Sequence, residues 1–195
     1  MAVTGALLLA FVVAHAVGDL KFFEGRAAFD GYSQWLRTLG APVLGRGWYL
    51  WLQRAVLTGA VLAHLAAATA LTVRDKRARP VRYRHRPRAT TDWAARTMRW
   101  SGVAVGAFVV YHVWDVSSAA GHPYRHLAAD LRHWYVAAAY ALAALVLGAH
   151  VAHGLHGAVR SLGGPGARRL SVALAAVVTA AFVAVPLAVA SGVAG

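Results

Sequence analysis

The sequence predicts an all-α, polytopic membrane protein with five transmembrane helices. Hydrophobic residues make up 59% of its 195 positions, and its mean hydropathy is +0.51, which is too apolar for a water-facing chain of this length. The apolar residues fall into five stretches, each long enough for the roughly 20 helical residues that a bilayer core about 30 Å thick requires. We expect the spans at 2–20, 49–73, 97–116, 135–155 and 170–189.

The first span is almost free of charge before Asp19. A secretory signal peptide is the alternative interpretation, because Ala14–Ala16 resembles a small-residue cleavage site, although no basic segment precedes the apolar stretch. A glycine-rich, polar and aromatic stretch follows this span. Within it we expect a short amphipathic helix from Ala27 to Leu39, lying at the membrane interface.

Positive charge is concentrated in one loop. The chain has 20 Lys and Arg against 7 Asp and Glu, a formal net charge of +13, and ten of the basic residues lie between Arg74 and Arg99. The positive-inside rule makes the loop 74–96 cytoplasmic, together with the shorter basic turn at 160–169, and therefore predicts a cytoplasmic N-terminus. The same clustering argues against nucleic-acid binding, because no soluble domain is left to carry it.

Four histidines lie inside four different spans: His15, His64, His112 and His150. Spans one and three run outward and place their histidines roughly 20 Å from the inner edge of the membrane, while spans two and four run inward and place theirs roughly 22 Å from the outer edge. His15 and His112 therefore share an outer level. His64 and His150 share an inner one.

Two imidazoles at one depth, on opposite sides of a porphyrin, are the ligands that a six-coordinate haem b requires. The chain has no cysteine, so any redox chemistry must rest on histidine or an organic cofactor. We therefore expect two haem b groups, one at each level, with structural or proton-relay histidines as the alternative. His153, which follows His150 on the same helix, is the runner-up for the fourth ligand.

Five segments carry a resemblance to a known family: Met1–Gly5, His15–Leu20, Arg96–Gly102, Tyr111–Trp114 and His150–Leu155. In their order and spacing they resemble, over nearly the whole chain, the five-helix dihaem cytochrome b (b558-type) membrane anchor of succinate dehydrogenase, a succinate:quinone oxidoreductase. The family pattern places one ligand four residues before a glycine–leucine pair. This favours His150 over His153, and implies His15 with His112 at the distal haem and His64 with His150 at the proximal haem.

The resemblance implies an electron-transfer subunit of the respiratory chain and tricarboxylic acid cycle, in the bacterial cytoplasmic membrane. An iron–sulfur subunit and a flavoprotein subunit would oxidise succinate and pass electrons to the proximal haem. Electrons would then leave the distal haem for a quinone, expected to be menaquinone, near the outer face. The dicarboxylate chemistry would lie on the partners, which the basic loop is a candidate to dock.

Quinone reduction consumes protons, so a carboxylate or phenol near the outer level is a candidate for the quinone site. Asp19, Glu24, Tyr111 and Asp115 meet this description, although acidic residues are also common where a helix leaves the membrane. Arg99, at the inner end of the third span, is a candidate to pair with a haem propionate. The alternative is an arginine that simply follows the positive-inside rule.

Two other functions remain open. A histidine-lined metal or proton transporter would also place histidines in the membrane, but the spans lack the usual carboxylates and no inverted repeat is evident. Another dihaem b-type carrier, such as a hydrogenase or ferric-reductase cytochrome, would share the histidine geometry without the succinate-oxidising partners.

Overall fold

The computed structural model describes residues 1–78, 91–119, 121–165 and 167–194, with the backbone alone for 91–96. This part of the chain is all-helical, as predicted, and contains no strand. A short 3-10 helix, Lys21–Glu24, follows α1. The α-helices are α1 Ala2–Leu20, α2 Arg26–Thr38, α3 Trp48–Ala78, α4 Thr91–Ser117, α5 Pro123–Leu131, α6 Trp134–Ser161 and α7 Arg168–Ala190.

Four helices in the described ranges are long and apolar enough to cross a membrane. They are α1 extended by its 3-10 turn, α3, α6 and α7, and they match four of the five predicted spans. The predicted third span, 97–116, lies within α4, which is a continuous helix of 27 residues.

The sequence predicted only one of the two helices in the connections assigned to the outer side. The amphipathic helix expected at 27–39 is α2, one residue earlier at each end. The connection between the third and fourth spans contains a helix that was not predicted, α5, which begins with Pro123 in its first turn. Proline is favoured there because its missing N–H would have no helical partner.

Helix α7 packs along α6, and α1 contacts both, while α3 packs on α1 and α4 packs on α6. Gly148 lies at the α6–α7 contact, where an added Cβ would collide with Oγ1 of Thr179. Small residues of this kind let transmembrane helices approach each other closely. Helices α1, α6 and α7 thus form a central group, with α3 packed on α1 and α4 packed on α6.

An aromatic and aliphatic cluster closes the end of the bundle at which α1, α4 and α7 finish. The Phe22 ring stacks on Tyr124 of α5, with centroids 4.5 Å apart, and Leu131 of α5 is fully buried. The Tyr124 backbone N–H donates to Asp30 Oδ1 of α2 over 3.0 Å. Helices α2 and α5 therefore cover this end. The connection from α3 to α4 leaves from the opposite end. The predicted basic loop 74–96 is helical at both its ends, at 74–78 in α3 and 91–96 in α4, and its residues 79–90 lie outside the described ranges.

Candidate functional site

The two histidines of the predicted outer pair lie side by side. The His15 ring on α1 and the His112 ring on α4 have centroids 5.8 Å apart and planes at 65°. Each is flanked by the phenylalanine one turn earlier on its own helix: Phe11 stacks on His15 at 5.4 Å, and Phe108 on His112 at 5.8 Å. The structure thus brings together the residues that sequence position paired.

Each outer histidine directs Nδ1 towards an acidic group. His15 Nδ1 lies 3.9 Å from Asp19 Oδ1, one turn further along α1. His112 Nδ1 lies 3.3 Å from the Tyr140 hydroxyl, which in turn donates to Asp115 Oδ2 over 2.7 Å. His112, whose Nδ1–H faces the Tyr140 oxygen within hydrogen-bond distance, presents the electron pair of Nε2, which is how metal-binding histidines are oriented.

The inner histidines are held by hydroxyl groups. His64 Nδ1 lies 3.1 Å from Thr4 Oγ1, and His150 Nδ1 lies 3.0 Å from Ser101 Oγ. Each hydroxyl also donates its own hydrogen to the carbonyl three residues earlier, that of Met1 or Met98. A hydroxyl has one hydrogen to give, so an oxygen that donates to the backbone accepts from Nδ1–H of the histidine. In that arrangement Nε2 of both rings is the nitrogen left to bind a metal.

A glycine beside each hydroxyl lets the imidazole approach. A Cβ at Gly5 would lie 3.5 Å from His64 Cε1, and one at Gly102 would lie 3.4 Å from His150 Cε1. His64 and His150 also lie near enough to each other to interact electrostatically. The inner pair is therefore assembled by two hydroxyl–glycine pairs on α1 and α4.

These contacts arise from an internal repeat that the sequence interpretation missed. Residues 4–15 read TGALLLAFVVAH and residues 101–112 read SGVAVGAFVVYH. The two segments share glycine, alanine, phenylalanine, two valines and histidine at equal spacing, and both begin with a hydroxyl residue. The hydroxyl and the histidine are eleven residues apart, which is about three turns and roughly 16 Å along one helix face. Each helix thus supplies one outer histidine and the support for one inner histidine.

The remaining predicted site residues lie apart from this arrangement or at its edge. Tyr111 packs between Trp114 and Tyr140, with centroids 6.3 and 6.2 Å away. Glu24 is exposed and pairs with Lys21 at 2.8 Å. Arg99 is also exposed, at the inner part of α4, so its predicted link to a propionate stays a prediction. His153 interacts electrostatically with His150 from the next turn of α6.

One buried nitrogen at the inner end of α6 has no hydrogen-bond partner among the described residues. It is Nδ1 of His156, which lies six residues after His150 on the same helix. A buried polar atom of this kind normally has a partner, since desolvation without one costs about 1–3 kcal/mol. This position therefore fits an acidic group brought by a ligand.

A second cluster at the covered outer end was not predicted. His126 Nε2 on α5 lies 3.2 Å from Asp115 Oδ1 and 3.1 Å from Asp130 Oδ2. Burial raises the pKa of the Asp130 carboxyl, and its hydrogen bond to Asp115 raises it further, against the opposing charge of His126. One atom from each residue lies within 4.8 Å of the other two, a spacing that a metal ion also accepts. His126 and Asp130 escaped prediction because α5 itself did.

Comparisons with protein-family models, with curated proteins and with solved structures found no match to this chain.

Proposed function

We propose that this chain is a dihaem cytochrome b that anchors a succinate:quinone oxidoreductase in the bacterial cytoplasmic membrane. It would transfer electrons from an iron–sulfur subunit to menaquinone. The observation that carries the proposal is the repeated hydroxyl–glycine–histidine arrangement of α1 and α4, which pairs four histidines at two levels. In this proposal α4 is the fifth transmembrane helix. Its 27 residues extend for about 40 Å, enough to cross a bilayer.

The outer pair fits a metal bound between two imidazoles. Metal–nitrogen bonds of about 2 Å place the centres of two such rings roughly 6 Å apart, and the His15 and His112 centroids are 5.8 Å apart. The contacts at Nδ1 leave Nε2 of His112 as the nitrogen for iron, and Asp19 favours the same choice at His15. These two residues would hold the distal haem.

The inner pair fits by its donor set and its space. Thr4 and Ser101 lie within hydrogen-bonding distance of Nδ1 of His64 and His150, and the adjacent glycines lie beside the two rings. His156 Nδ1, buried without a partner in the described chain, would bind a propionate at the same end. These contacts support His64 and His150 as ligands of the proximal haem, with His153 as the alternative to His150 and Arg99 as a further propionate candidate.

Haem b, when bound, supplies one-electron transfer between the two faces of the membrane. The residues of this chain set the potential at each level through burial, hydrogen bonding and nearby charge. The outer histidines face carboxylates, Asp19 directly and Asp115 through Tyr140. The inner histidines face neutral hydroxyls. Negative charge stabilises the oxidised, more positive state, so the outer level should have the lower potential.

A reduced-minus-oxidised spectrum of the purified chain, with haem measured per polypeptide, tests the proposal. Two haems with low-spin bis-imidazole signatures are expected. A preparation without haem, purified from cells that load other b cytochromes, would contradict the proposal and favour the transporter. Co-purification with a flavoprotein and an iron–sulfur protein then separates a succinate:quinone oxidoreductase anchor from other dihaem carriers.

A further inference from the structure

A continuous series of hydrogen-bonding side chains joins the outer surface to the outer histidine level. Asp130 and His126 lie on α5, and their side chains are 32% and 23% exposed, while the Asp115 side chain on α4 is 9% exposed. The links Asp130–His126 and His126–Asp115 measure 3.1 and 3.2 Å. Exposure thus falls at each step inward.

We propose that Asp130, His126 and Asp115 form a proton-transfer chain that carries protons from the outer aqueous phase to a quinone bound beside the outer histidine pair. The inference deepens the proposed function and rests on it. Asp115 is the terminal donor to the quinone oxygen. His126 and Asp130 reload it from water. Tyr140 is a positioning residue, because its hydroxyl donates to Asp115 Oδ2 and fixes the carboxyl in place.

The chemistry of the three groups suits this task. Imidazole can accept a proton at one face and release it at another, and its ordinary pKa lies near neutrality. Asp130 holds a proton more readily than an exposed aspartate, because burial and the neighbouring Asp115 raise its pKa. General acids whose pKa values approach the working pH are the effective ones.

The other titratable groups that face the proton-transfer chain are tyrosines and histidines. Asp115 interacts with Tyr111 from α4 and Tyr140 from α6, and Asp130 also interacts with His133 at the start of α6. His112 lies behind Tyr140. The charged groups that act on the Asp130 carboxyl are His126, Asp115 and His133.

The outer part of α4 offers a lipid-facing approach for the quinone. Val110 is 72% exposed and Trp114 is 70% exposed, and both lie within the part of α4 that the proposal places in the membrane. Tyr111, which follows Val110 and lies one turn before Asp115, packs against Tyr140. A quinone that arrives from the bilayer along this surface would meet Asp115 at the outer end of the helix.

Reduction of one quinone takes two electrons, supplied from succinate through the iron–sulfur partner, and two protons, supplied through Asp115. Two O–H bonds form on the quinone. Each proton that leaves Asp115 is replaced from His126 or Asp130 and finally from outer water, so the chain residues return to their starting protonation states.

Replacing His126 with Gln in the intact complex tests the proton-transfer chain. Gln keeps a polar side chain of similar length but cannot take up and release a proton. We expect quinone reduction by succinate to fall by about tenfold or more, within the range that a positioned proton donor contributes. Haem content, and reduction of the haem by succinate without added quinone, should stay at wild-type values. Asp130→Asn should slow quinone reduction in the same way.

His122→Gln is the matched control, since His122 is exposed at the start of the same helix and should leave quinone reduction unchanged. A second readout needs no turnover. Electrochemically induced infrared difference spectra should contain a carboxyl C=O signal that shifts in D2O, is lost in Asp115→Asn and is altered in His126→Gln. Wild-type quinone reduction in both His126→Gln and Asp130→Asn, with haem intact, would overturn the proton chain alone. Absence of haem from the wild-type protein would overturn the proposed function instead, and this inference with it.

Discussion

Ser101 Oγ lies 3.0 Å from His150 Nδ1 and donates its only hydrogen to the Met98 carbonyl at 3.1 Å. With the hydroxyl hydrogen on that carbonyl, Ser101 Oγ accepts from Nδ1–H of His150, and Nε2 is left to bind a metal. Thr4 does the same for His64 from the other copy of the repeat. Hydroxyls on α1 and α4 thus prepare histidines on α3 and α6 as metal ligands.

Replacing Ser101 with Ala should weaken the inner haem and leave the outer haem unchanged. The substitution removes the acceptor for Nδ1–H of His150, and loss of such a partner typically costs 10- to 100-fold in metal affinity. Titration of the purified protein with haem, followed by its absorption spectrum, measures the effect. Ser161→Ala is the matched control, because the Ser161 hydroxyl donates in the same way to the Ala158 carbonyl but is exposed. Equal inner-haem affinity in both variants would contradict the assignment.

The pairing itself predicts which histidines act together. His15→Ala and His112→Ala should each remove the outer haem, and the double variant should lose no more than either single variant, because both residues serve one cofactor. Combining His15→Ala with His64→Ala should instead remove both haems. Haem per chain and the low-spin electron paramagnetic resonance signals report the outcome. Loss of two haems from the His15–His112 double variant would show that the pairs are assigned wrongly.

The charge beside the outer pair can be removed without touching a ligand. Asp19→Asn deletes the carboxylate 3.9 Å from His15 Nδ1, so the oxidised state of the outer haem loses stabilisation and its potential should rise. The inner potential should stay constant, since Asp19 lies more than three turns along α1 from Thr4. Potentiometric titration of the two haems measures both values. Glu24→Gln, which removes an exposed carboxylate paired with Lys21, should shift neither; a fall in the outer potential of Asp19→Asn would contradict the role given to this carboxylate.

Packing between α6 and α7 should tolerate no side chain at Gly148. A Cβ there meets Thr179 Oγ1, and overpacking of this kind typically costs about 1–3 kcal/mol. We expect Gly148→Ala to lower the thermal unfolding midpoint in detergent and Thr179→Ala to restore part of the loss. Gly157→Ala is the control on the same helix, because nothing lies within 4 Å of its added Cβ. Equal midpoints for Gly148→Ala and Gly157→Ala would show that α6 and α7 can move apart without loss of stability.

Counting residues along apolar helices was sufficient to predict the helical class, most helix boundaries and the pairing of His15 with His112. The same counting could not identify Thr4 or Ser101 as hydrogen-bond partners of the inner histidines. A hydroxyl inside a span usually bonds its own backbone, and any second partner depends on which helices meet. The equal spacing of residues 4–15 and 101–112 was the available signal. Helix α5 was missed because nine residues form a stable helix only through tertiary packing, which its buried Leu131 provides.

The protonation of Asp130 should appear as a pH dependence of stability. Its pKa is raised in the folded chain by burial and by Asp115, while an aspartate in the unfolded chain has a pKa near 4. The folded state therefore binds more protons than the unfolded state between these two values. The resulting stability is fully present below about pH 4 and is lost as the pH rises through the folded pKa.

Asp130→Asn cannot titrate, so its unfolding midpoint should fall less than that of the wild type as the pH increases from about 4. Thermal unfolding in detergent at a series of pH values, recorded for both proteins, gives the comparison. Asp115→Asn should reduce the wild-type slope in part, because it removes the neighbouring charge but leaves the partial burial of Asp130 in place. Parallel profiles for the wild type and Asp130→Asn would mean that Asp130 titrates alike in the folded and unfolded chains, contrary to the environment described for it.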